Sequence, residues 1–199
     1  MRRTIWCVVL IAAAVVGFVP NAAATSEKPL LVGVGSADGT PEVAQVNFMG
    51  YAVLAQVGEG LHQRLRARAF VVEEPSSKIF AFVSVDFGMG AHAVTRLALE
   101  LLNTDTKTKG VFDYTNLCIS GTHTHSSPAG FLGKVLFQIT SLGFQKTSYE
   151  TYAQAVYKAV AEAYATRSAA TISSNRGLVE DANINRSPTA YLLNPAAER

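Results

Sequence analysis

"QRLRARAFVVEEPSSKIFAFVSVDFGMG", residues 63–90, is the stretch whose reading decides the fold. Residues 63–74 alternate polar and apolar and then turn apolar, while residues 78–90 are rich in β-branched and aromatic side chains. Such residues favour a pleated, half-buried surface. Between them "EPSS", residues 74–77, supplies turn chemistry. Two strand-like runs around a short Pro/Ser turn predict an antiparallel hairpin.

Working outward, "AHAVTRLALELLN" (91–103) places Val94, Leu97, Ala98 and Leu101 at helical spacing. A polar loop (104–115) leads to "NLCIS" (116–120), a short buried strand. "SYETYAQAVYKAVAEAYATR" (148–167) is the clearest helix, with Tyr149, Tyr152, Val156, Val160 and Ala163 on one face and Ser148 as its expected cap. "AATISSNRGLVEDANI" (169–184) reads as strand, turn, strand. Upstream, "KPLLVGVGSADGTPEV" (28–43) is a strand running into a Gly/Asp/Pro turn. Its glycines are spaced G-x-G-x-x-x-G and no helix pattern follows, which argues against a dinucleotide fingerprint. Gly33 and Gly35 are expected to admit a close backbone neighbour. The order predicts an α/β fold, a mixed sheet flanked by helices.

With 199 residues, 49% of them hydrophobic, the chain suits one domain or part of a larger one. The net charge of +2, with signs interspersed and no Lys/Arg stripe, gives no case for nucleic acid. Residues 1–24 read as a secretory signal: Arg2 and Arg3, an apolar run over 5–19, and small residues before a cleavage point after Ala24. The run is shorter than the roughly 20 residues that span a bilayer, although an uncleaved anchor is the competing reading. Cleavage removes Cys7 and leaves Cys118, expected to be a buried small hydrophobe in its strand, with a thiol nucleophile as the alternative. The polar, Pro-containing end of the chain, after residue 184, does not read as a closing core element, which favours a truncated domain.

"GTHTHSSPAG" (121–130) holds two of the four histidines, His123 and His125. On an extended segment residues i and i+2 point the same way, so both imidazoles would face one pocket. Imidazole suits zinc, but a catalytic zinc needs three protein ligands. The plainer reading is a polar turn whose histidines bond to backbone. His62 and His92 read as structural histidines. Asp86 ends a strand, where α/β folds place functional groups, or else caps the following turn. Arg186 offers a fixed cation for a carboxylate or a developing oxyanion. Ser187 precedes Pro188 without an identifiable base, and "NRS" (185–187) matches a glycosylation sequon that the proline disfavours.

Several of these segments, in this order, resemble the N-terminal portion of the neutral ceramidases: "VGVGSADGTPEV", "NFMGYA", "LHQRLRARAFVV", "VSVDFGMG", "GTHTHSSPAG", "TSLGFQ" and "NINRSPTAYLLNP". The resemblance runs from about residue 31 to the end and implies part of a larger catalytic domain over 25–199. It implies a zinc amidase that hydrolyses the N-acyl bond of ceramide, or a related sphingolipid met at a membrane surface, to sphingosine and a fatty acid. By that likeness His123 is the first zinc ligand, His125 a group near the scissile carbonyl, and Arg186 a pocket arginine. The chain departs where Ser127 and Ala129 stand in place of glycines. The family's second histidine ligand, its glutamate and tyrosine ligands, its active-site serine and its immunoglobulin-like domain would all lie beyond residue 199. The chain alone is therefore expected to be inactive. The alternative is a truncated, non-catalytic module that binds lipid or a partner.

Overall fold

The computed structural model describes residues 29–182, 184 and 187–198. The signal segment with Cys7, the sequon's Asn185, and Arg186 lie outside the described residues. The elements are β1 (Leu30–Asp38), β2 (Ala44–Asn47), β3 (Val57–Glu59), β4 (Arg66–Glu73), β5 (Ile79–Val85), α1 (His92–Thr104), β6 (Leu117–Gly121), α2 (Val135–Thr140), α3 (Lys146–Ala165), β7 (Ser168–Ala170) and α4 (Pro188–Tyr191). The chain also makes a short 3-10 turn at Ala196–Glu198.

The expected hairpin is the centre of the molecule. β4 and β5 pair antiparallel from Glu73 opposite Ile79 to Ala67 opposite Val85. The Glu74 N–H closes the turn on the Lys78 carbonyl at 2.9 Å. α1 then carries the chain over to β6, which pairs parallel with β5. β1 adds antiparallel to β4, and β7 antiparallel to β1. The mixed sheet has the order β6-β5-β4-β1-β7, and β2 and β3 form a separate ribbon.

Strand alternation puts Ala67, Ala69, Val71, Ala81, Val83 and Val85 on an inner face that α1 and α3 cover, each residue all but inaccessible. α3 lies close on β1 because Gly33 and Gly35 face it. A Cβ at either position would collide with the backbone carbonyl of Ala163 or Ala159. Val94, Leu102, Val156 and Val160 complete the core, each burial stabilising by about 1.5–3 kcal/mol. Tyr152 is buried beside Phe87 and Phe131 and donates its hydroxyl to the Pro128 carbonyl at 2.9 Å. Burial pushes its phenol well above the ordinary value.

Four expectations need correction. α3 starts at Lys146, and Ser148 does not cap it. The Gln145 N–H is tied to the Gly130 carbonyl at 2.8 Å, which sets the helix entry earlier and leaves Ser148 buried inside the helix. The α1 stripe is Val94, Ala98, Leu99 and Leu102, one position round from the predicted one, because this is the face that packs into the core against α3. Of residues 169–184, only β7 pairs, and only with Leu30–Val32. Beyond Val32 the edge of β1 is satisfied by side chains from the end of α3: Thr166 donates to the Val34 carbonyl at 2.9 Å, and the Ser36 N–H to Glu162 at 2.8 Å. Finally, Cys118 is exposed. It falls on the outer face, in one row across four strands with Val34, Phe70 and Phe82, and no described helix covers that row.

Candidate active site

The parallel pairing of β5 and β6 brings the loop of Asp86–Gly90 beside the loop that carries the two histidines. The Thr122 N–H still bonds the Val85 carbonyl at 2.8 Å. At His123 the backbone turns left-handed, with φ 62°, a region costly for most L-residues and kept where the surroundings enforce it. The turn drops the His123 ring onto Gly88, whose carbonyl accepts from Nδ1 at 2.6 Å. A carbonyl can only accept, so Nδ1 carries the proton and Nε2 of the neutral ring carries the free lone pair.

His125 faces the same space, its Nε2 3.3 Å from His123 Nε2. Since His123 Nε2 is the acceptor, His125 Nε2 carries the donating proton. The prediction that both imidazoles face one pocket holds, but strand alternation is not the cause: the pair converges through a left-handed turn. His125 Nδ1 is buried and has no hydrogen-bond partner. Gly50 and Tyr51 close over it, Tyr51 edge-on with ring centroids 4.4 Å apart. The segment before Gly50 is zipped to the histidine loop: the Ala129 N–H donates to Asn47 O at 2.8 Å and the Met49 N–H to Ser127 O at 3.2 Å.

The pair opens on a cleft of about 350 Å³ walled by Met49, Met89, Leu136 and Phe137. The alternate loop residues, Thr122, Thr124 and Ser126, line a second cleft of about 500 Å³ with His62 and Asp86. His62 is exposed there, and His92, at the first position of α1, stacks on Tyr114. Neither joins the pair. Asp86 accepts from the Arg66 N–H at 2.9 Å and from the Arg68 guanidinium at 3.0 Å, so it ties strand to strand rather than capping its own turn. Arg186, expected in the pocket, lies outside the described residues. Ser187 is described and exposed.

An imidazole whose far nitrogen is fixed by a backbone carbonyl is the usual form of a zinc ligand, and His123 fits that part. Among the described residues no group of three His, Cys, Asp or Glu converges, so the donor set is a fraction of the three protein ligands a catalytic zinc takes. Sequence reasoning missed Gly50, Tyr51 and Gly88 as parts of the site. "NFMGYA" serves only as a mark of resemblance, and "VSVDFGMG" is read for its strand and Asp86 but not its glycines, although glycines beside a candidate site signal close approach.

A family model described as neutral/alkaline non-lysosomal ceramidase, N-terminal, matches residues 30–199. Neutral ceramidase 3 of Arabidopsis thaliana is 43% identical over 174 residues, 87% of this chain and 24% of that protein. The neutral ceramidase of Drosophila melanogaster is 43% identical over 168 residues, 84% of this chain and 24% of that protein. Among solved structures, a ceramidase complexed with C2 superposes with a TM-score of 0.76 at 34% identity, covering 84% of this chain and 26% of that one. The neutral ceramidase from Pseudomonas aeruginosa gives 0.68 at 36%, covering 72% and 23%. This chain spans about a quarter of the length of the curated relatives it matches.

Proposed function

This chain belongs to the neutral/alkaline non-lysosomal ceramidase family, matching its N-terminal region, and from that premise we propose that it forms the first part of a zinc-dependent amidase acting on ceramide. The reaction adds water across the N-acyl amide: the carbonyl carbon gains the oxygen, the C–N bond breaks, and the amine leaves with a proton as sphingosine beside a free fatty acid. Zinc, when bound, supplies Lewis-acid polarisation of the carbonyl and activation of water.

This chain's residues do the rest of what falls to it. His123 offers Nε2, held in that tautomer by the Gly88 carbonyl. His125 presents Nε2–H, a donor for the scissile carbonyl oxygen as negative charge develops on it. Arg186, whose role is carried by the family likeness alone, would supply a cation for the same charge. Met49, Met89, Leu136 and Phe137 wall the cleft with apolar surface. The exposed apolar side chains Val135, Leu136, Ile139 and Leu142, beside the pair, favour a lipid substrate taken from a membrane surface. The single observation that carries the reading is the His123 ring, pinned at Nδ1 by the Gly88 carbonyl so that its lone pair lies at Nε2, beside His125.

One imidazole ligand holds zinc weakly, so the chain alone should bind it poorly and release no sphingosine. Joined to the remaining three quarters of a relative, it should do both, and His123→Ala should abolish turnover and zinc content together. Tight stoichiometric zinc with ceramide cleavage by the isolated chain would refute the division of the site. The second reading, a non-catalytic lipid-binding module, is favoured by the uncovered outer face of the sheet. It predicts co-sedimentation with ceramide vesicles and no turnover in the joined protein. Entry to the secretory route through residues 1–24 is also proposed, and N-terminal sequencing of exported protein should begin at Thr25.

A further inference from the structure

The two histidines are held by different means. His123 is oriented by a hydrogen bond from Nδ1 to Gly88 O, the common device for a functional imidazole. His125 has no such backbone anchor: its Nδ1 is buried and unpartnered and its Nε2–H meets only the other imidazole, at 3.3 Å, so packing has to set its ring plane. Two neighbours do the packing. Gly50 sits with φ +129°, and a Cβ there would overlap the imidazole itself, so any side chain at this position is excluded twice, by backbone strain and by the ring. Tyr51 meets the ring edge-on, with an interplanar angle of 69°. Tyr51 is 63% exposed and stands outside the core cluster, so core packing does not explain its place.

We propose that Gly50 and Tyr51 are positioning residues for His125: Gly50 leaves the space the imidazole fills, and Tyr51 sets the plane in which its Nε2–H points at the reacting centre. The proposal rests on the role assigned to His125 above. It makes "NFMGYA" part of the reactive apparatus although none of its side chains is a ligand or a proton donor.

Imidazole nitrogen NMR on the whole chain, without metal, tests it, with His123 as the internal control. In the unaltered chain His125 should report a single Nε2–H tautomer and ring-to-ring contacts with Tyr51. Tyr51→Ala should convert that signal to a mixture of tautomers, Tyr51→Phe should restore it, and the melting temperature and the His123 signal should stay put in both. Gly50→Ala should displace the ring further, and where it fails to fold the Tyr51 pair still decides. A single, unshifted His125 tautomer in Tyr51→Ala overturns the proposal. Absence of ceramide turnover in the joined protein would defeat the amidase reading and leave these spectra unchanged, so the two failures are separable.

Discussion

The two faces of the sheet are built from the same strands and live in different surroundings. The inner face carries the smaller side chains, Ala67, Ala69, Ala81 and Val83, and is sealed by α1 and α3. The outer face carries the larger ones, Phe70, Phe80 and Phe82, and they stand 38–46% exposed. Hydrophobicity therefore does not tell which face is the core. Size does: a helix settles close to a sheet only where the facing residues are Ala and Gly, as they are beneath α3.

The sharpest way to break that comparison is to place one charge on each face. Val83→Asp buries an unpaired carboxylate under α1 and α3. It should cost more than about 4 kcal/mol, enough to abolish the cooperative urea transition of the chain. Phe82→Asp, one residue earlier on the outer face, should leave the midpoint within about 1 kcal/mol. Equal losses would mean that the outer face is also packed.

Next in size, Leu102→Ala should lose about 2–5 kcal/mol through the cavity it leaves between α1 and the core. Tyr152→Phe should lose about 1–3 kcal/mol, since the buried Pro128 carbonyl is left without its donor. Both are read from urea denaturation.

Smaller still is a pH effect at the helix junction. The Lys107 backbone N–H, and then the Tyr157 hydroxyl, hold the Asp105 carboxyl below its ordinary value. A carboxyl depressed by folding stabilises above its unfolded pKa, and that contribution is lost as pH falls through the folded one. Tyr157→Phe removes one of the two donors and should move the acid-unfolding midpoint slightly upward. Cys118, exposed in the outer row, should be modified by a thiol reagent in the folded chain at no measurable cost in stability, with peptide mapping to separate it from Cys7.

Much of the fold was legible because it rests on local signals. The 66–85 hairpin has period-two patterning around a Pro/Ser turn, and α1 and α3 have helical spacing. What was misread depended on neighbours distant in sequence. Cys118 lies in an apolar run, yet parity within β6 puts it on the uncovered face. The stretch after Ala170 has strand-like residues, but α3 side chains already satisfy the edge of β1 that it would have joined. At the site, the histidine pair itself could be read from "GTHTHS". The left-handed turn at His123 and the clamp of Gly50 and Tyr51 could not, because they come from loops 35 and more residues apart meeting at the end of the sheet.

Sequence alone determined the alternation of strands and helices, the family, and the residues with the chemistry to bind a metal, because periodicity and side-chain type are properties of short stretches. Tertiary structure alone decided which sheet face is core, which nitrogen of His123 carries the lone pair and what packs on His125. Each of those depends on where a distant backbone carbonyl, a helix or a missing side chain ends up in space.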